Sequence, residues 1–107
     1  MIQISDVVIK DVPFKRVTVV TDSVVGCQIF KEAVTPLLNR KDNLIVDLNN
    51  ILGTSVVNVL HGVYKKVNEY NGKIFIVAED LEIRELLRLL HVDSFIPIYH
   101  TEKEINF

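Results

Sequence analysis

The sequence predicts an α/β fold: one domain over residues 1–107, with a mostly parallel sheet of about five strands, an N-terminal edge hairpin and about four helices. Three observations carry this. Short runs rich in Val and Ile alternate along the chain with segments of helical spacing. Leu44-Ile-Val-Asp-Leu48 is almost continuously apolar, which suits a central strand covered on both faces. With 107 residues, about half of them apolar, the chain is long enough for one core.

In chain order, Ile2, Ile4, Val7, Val8 and Ile9 form an imperfect strand pattern, and Arg16-Val-Thr-Val-Val20 forms a second, with a turn expected over 11–14. Thr21-Asp22-Ser23 breaks the pattern before a helix whose inner face is read as Phe30, Ala33, Leu37 and Leu38. Pro36 inside that helix removes a backbone bond and crowds a carbonyl, so a kink near Glu32 or an early end is expected. After the central strand, Asn49-Asn50 signals a turn. Val56, Leu60, Val63 and Val67 then share one helical face, Thr54 or Ser55 is the natural N-cap, and Asn71-Gly72 is the stop. Lys73–Ala78 reads as another strand, Glu79-Asp80 places acids at the next helix start, and Ile83, Leu86, Leu87 and Leu90 follow at helical spacing. Phe95–Tyr99 reads as a last strand, confined to an edge by Pro97. Thr101-x-x-Glu104 has the form of a capping box, predicting a final short helix.

The composition narrows the function classes. A net charge of -2 with scattered Lys and Arg argues against nucleic acid as the main partner. No apolar run approaches the roughly 20 residues of a membrane span. Met1-Ile-Gln-Ile-Ser lacks the basic start and apolar stretch of a secretory leader, and a lone cysteine excludes an internal disulfide, so a cytoplasmic location is expected. No cofactor is called for. Gly53-Thr-Ser-Val-Val57 lacks the second glycine of a nucleophile elbow, and nothing marks His61 or Asp47 as its partners. His61, His91 and His100 lack metal-ligand spacing with one another or with Cys27, and no metal is expected. The four glycines form no phosphate-cradling loop. Glu82, Arg84, Glu85 and Arg88 read as a solvated helix face with pairing at spacings of three and four. An enzyme is therefore not expected.

What the spacing does offer is a pair of hydroxyls, Thr54 and Ser55, at the positive end of a helix, where free amides and the macrodipole favour negative charge. A phosphate there changes the surface by nearly two charges. Read from chemistry alone, capping comes before switching. Asp47-Leu48 with the short loop after it, Thr54-Ser55, Val59-Leu60, Asn71–Val77, Ile83–Leu87 and Phe95–Tyr99 together resemble, in order and spacing, the STAS domain. That family includes bacterial anti-sigma factor antagonists and the cytoplasmic tails of sulfate transporters.

The resemblance implies a binding switch: an antagonist that docks on an anti-sigma factor of the serine-kinase type, frees the sigma factor and is released by phosphorylation at the start of the second helix. The usual Asp-Ser-Ser-Gly stretch lays its acceptor serine on Ser55 and the preceding one on Thr54. Gly53 stands where the family has the acid and Val56 where it has the glycine. The loop after Asp47 is about two residues short, and Val20-Thr-Asp-Ser-Val24 departs from the Gly-Glu-Leu-Asp-like sequence of the family. The expected partner surface comprises Ser23, Asn49, Asn50, Gly53 and Val56, which share one end of the sheet if the strands are parallel. Two other readings stay open: a STAS scaffold or constitutive partner without a phosphoswitch, favoured by Gly53 and Val56, and a small-ligand module binding, for example, a nucleotide at the strand ends. A monomer or weak dimer is expected.

Overall fold

In a computed structural model, β1 (Ile2–Ile9) and β2 (Val12–Val19) form an antiparallel hairpin, and β2, β3 (Leu44–Leu48), β4 (Ile74–Val77) and β5 (Ile98–Tyr99) run parallel, in the order β1-β2-β3-β4-β5. The described residues are 2–19, 24–39, 43–48 and 56–107, without the side chains of 24–27, 29, 38–39 and 56. The helices are α1 (Val24–Val34), α2 (Val56–Glu69) and α3 (Leu81–Leu89). Because successive parallel strands are added in one direction, right-handed crossovers place all three helices on the same sheet face.

The pleat then sorts the side chains. Val17, Val19, Leu44, Val46, Leu48, Ile74 and Ile76 join Phe30, Val34, Leu60, Val63, Val67, Ile83 and Leu87 in the main core on the helix side. Phe14, Ile45, Phe75 and Val77 point the other way, into a second cluster covered by Ile105 and flanked by Val7, Ile9 and Tyr99. Ile45 is fully buried, so β3 is a strand covered on both faces, as its apolar run predicts.

Among the described residues no α-helix lies over that second face. Its cover is the C-terminal segment, where a 3-10 turn at Glu102–Glu104 leads to Ile105 and Phe107. The Phe107 ring stacks on Phe75 at 5.7 Å between centroids and lies 5.8 Å from Phe14. The ammonium groups of Lys10 and Lys73 lie 5.6 and 5.3 Å from the same ring, and Lys10 Nζ donates to Asn106 Oδ1 at 2.6 Å.

Several boundaries differ from the sequence reading. The hairpin turns at Lys10-Asp11, with φ of 52° and 67°, and not over 11–14. Two left-handed residues match the type I′ geometry that follows strand twist, a turn reached here without the usual glycine. Asp6 and Lys15, opposite each other in register, pair across it at 2.5 Å. The first helix ends at Val34, before Pro36, and passes into a 3-10 turn at Thr35–Asn39, so the early end is what forms. Its inner face runs through Phe30, Val34 and Leu37, with Ala33 half-buried and the side chain of Leu38 outside the described residues.

The stop after α2 uses Asn71 at φ 59°, and the Gly72 N–H donates to the Val67 carbonyl at 2.9 Å. Asp80 caps α3 by accepting from the Glu82 N–H at 2.8 Å. The last strand shrinks to Ile98-Tyr99 at the edge, and the fourth helix is a single 3-10 turn, ended by Ile105 in an extended conformation. Its Thr101 N–H donates to Glu104 Oε1 at 3.1 Å, as the capping-box spacing anticipates.

Candidate docking site at the carboxyl ends of the strands

Parallel strands deliver their C-terminal ends to one side of the sheet, and the segments leaving β2 and β3 are 20–23 and 49–55. The parallel register that the expected partner surface requires is therefore present: Val17 lies opposite Val46 and Asp47 opposite Val77. Ser23, Asn49, Asn50, Gly53, Thr54 and Ser55 themselves lie outside the described residues. Val56 is the first described residue of α2, and Thr54 and Ser55 are the two positions ahead of it in sequence; its side chain is also outside the described set.

At the same end, on the face opposite the helices, a cleft of about 410 Å³ opens between Arg16, Asp47, Val77, Glu79 and Thr101–Lys103. The Arg16 guanidinium grips the Glu102 carboxylate at both oxygens, with Nε on Oε1 and Nη2 donating to Oε2 at 2.6 Å. This hydrogen-bonded pairing with Glu102 holds the Arg16 proton more firmly than usual, against a smaller opposing effect of burial. Asp47 interrupts the apolar run of β3 and is half-buried. Burial pushes its carboxyl above the usual aspartate range; Arg16 pulls it down, while Glu102 and Glu79 add to the rise.

Two further polar devices shape this domain. Arg84 Nη1 donates to the carbonyls of Ala78 and Glu79 at 2.7 and 2.8 Å, holding the exit of β4. Glu82, Glu85 and Arg88 are exposed, as a solvated face requires, but the pairing expected of it is corrected: Arg84 is half-buried and donates to backbone, and no ion pair joins the four among the described residues. At the opposite end of the sheet, the Asn43 side chain donates to the Pro13 carbonyl at 3.1 Å and accepts from the Lys73 N–H at 2.8 Å, joining three strands.

The histidines sit on the surface: His61 meets the Phe95 ring edge-on at 5.1 Å, and His100 lies 3.9 Å from Glu104. Sequence reasoning passed over Arg16, Glu102 and Asn43. Their partners lie on other elements, 86 residues apart for Arg16 and Glu102 and 30 residues from Asn43 to each of its two, and no spacing rule reaches that far. Asp47 was the one legible signal, a carboxylate inside an apolar strand.

No curated protein matches the chain. The family comparison does find a match, to the STAS domain over residues 27–105, which runs from within α1 to just past the last 3-10 turn and leaves out the N-terminal hairpin. With that match covering well over half of the 107 residues, and a mostly parallel sheet carrying its helices on one face, the chain belongs to the STAS domain family.

Proposed function

We propose that this STAS domain is an anti-sigma factor antagonist of the cytoplasm, a protein without catalytic activity of its own. It docks on an anti-sigma factor of the serine-kinase type and is released when Ser55, or Thr54 beside it, is phosphorylated. The observation that supports the reading is that the described part of α2 opens at Val56, with those two hydroxyls immediately ahead of it in sequence, between the central strand and the helix. A dianion at a helix start is tolerated by the helix itself. In a desolvated contact it is penalised unless a cation meets it, so modification turns docking off while leaving the fold intact.

Gly53 and Val56, standing where the family has an acid and a glycine, favour a second reading in which the domain binds its partner constitutively. Capture of the tagged protein from its own cells, with mass spectrometry of both partners and bait, separates the two. Recovery of an anti-sigma kinase with phosphate at Ser55 or Thr54 supports the switch. The same partner on a bait that stays unmodified when kinase and ATP are supplied supports the constitutive form.

A further inference from the structure

The two edges of the sheet are finished differently. β5 is only Ile98-Tyr99, directly after Pro97, and so short an edge offers little to pair with. β1 forms the other edge among the described residues and runs for 8 residues, in register with β2 from Ile2 opposite Val19 to Ile9 opposite Val12, without a bulge. It contains neither proline nor lysine, and its single charged side chain, Asp6, is taken by Lys15 at 2.5 Å. β1 therefore lacks the usual devices that stop an edge from pairing.

The direction of its backbone groups follows from β2. The Lys15 N–H donates to the Asn43 carbonyl at 2.8 Å, toward β3, so Asp6, opposite Lys15, turns its own N–H and C=O away from β2. By the two-residue strand period, Ile2, Ile4 and Val8 do the same. Their side chains share the face of Val17, the helix side, where Val8 is 69% and Ile4 45% exposed.

A second β1 can meet this edge antiparallel about a two-fold axis, and the sequence discriminates between registers. Centred on Asp6, the pairing sets two carboxylates opposite each other; centred on Ile4, it leaves Val8 without a partner. Centred on Ser5, Ile4 faces Asp6 and Ile2 faces Val8 of the other copy, so every outward-facing residue of the strand exchanges hydrogen bonds. Val8 then packs on Ile2, with Ile4 diagonal to it. The strand is complementary to itself, which selects a second copy as its occupant. We propose that β1 joins two copies of this chain edge to edge about Ser5, in one continuous sheet with the helices of both on the same face. The hairpin lies outside the family match, and the pairing is independent of any modification at Ser55.

Sedimentation velocity of the full chain over a concentration series is expected to show reversible passage from monomer to dimer. Val8→Lys, at an exposed position, and Ile4→Pro, which deletes an outward N–H and no bond to β2, are each expected to raise the dimer dissociation constant roughly tenfold or more while keeping the circular dichroism of the parent. Ser5→Cys reports the register, since residues opposite each other at a non-hydrogen-bonded antiparallel position stand about 4.5 Å apart between Cα atoms, within disulfide reach. In a Cys27→Ala background with oxidised glutathione, Ser5→Cys is expected to give a cross-linked dimer, and Val7→Cys, which faces Gln3 of the other copy, is not. A chain that stays monomeric up to millimolar concentration, a dimer that neither Val8→Lys nor Ile4→Pro weakens, or equal cross-linking through Ser5→Cys and Val7→Cys would overturn the proposal.

Discussion

Arg16, midway along β2, holds Glu102 in the last turn of the chain by a two-pronged ion pair that spans 86 residues of sequence. It anchors the segment that covers the helix-free face, ahead of Ile105 and Phe107. Both side chains are about one-third exposed, so the pair is screened and its worth is modest. Glu102→Gln is expected to lower stability by about 1 kcal/mol in denaturant unfolding. Hydrogen exchange should rise first at Glu104 and Ile105, ahead of the sheet; a uniform rise across all strands would show that the segment is not a separate unit.

Ile105 is the deeper anchor. It is buried against Phe14, Ile45, Phe75 and Val77, and Ile105→Ala removes the aliphatic plug from that cluster. A loss of about 2–4 kcal/mol is expected, larger than for Glu102→Gln, as chemical denaturation can measure.

Asp47 makes a prediction of opposite sign to the usual carboxylate. Its folded pKa is raised, first by burial, so the folded chain binds the proton more tightly than the unfolded one. Its contribution is therefore best below the ordinary aspartate range, falls as pH rises toward the raised folded value, and is flat above it. Asp47→Asn should remove this fall, so its stability relative to the parent grows between the ordinary aspartate range and neutral pH. Unfolding curves across mildly acidic pH check this; a variant that loses stability against the parent as pH rises would contradict it.

Gly62→Ala is expected to raise stability by about 0.5–1 kcal/mol, since alanine is the better helix former and the added methyl meets nothing. A thermal melt decides it. A lower Tm would mean that the position has a structural need for glycine within the fold.

Asn43→Ala should cost about 1 kcal/mol or somewhat more, because both arms of its amide replace ladder bonds where β2, β3 and β4 begin. Equilibrium unfolding against the parent is the measurement.

The elements were legible in the sequence wherever periodicity speaks. Leu60, Val63 and Val67 on α2 are buried as their spacing predicts, Pro36 stops α1 at Val34, and Pro97 keeps the last strand short and at the edge. The hairpin turn was misplaced because Lys10 and Asp11 carry positive φ without the asparagine or glycine that announces it. The one-sided placement of the helices follows from strand order, which hydrophobic spacing does not encode, and with it came the helix-free face and its C-terminal cover. Thr54, Ser55 and their loop are read from sequence and family, with the described structure reaching them only through Leu48 and Val56.

The central claim is a docking surface that phosphate at Ser55 closes. The direct measurement is the affinity of Ser55→Asp and Ser55→Ala, by calorimetry, for the anti-sigma kinase recovered from the same cells. The account predicts that Ser55→Ala binds like the parent and that Ser55→Asp binds more weakly by roughly tenfold or more, a difference of about 1.4 kcal/mol. Equal affinities for the two variants would contradict it and leave a STAS domain that binds its partner constitutively.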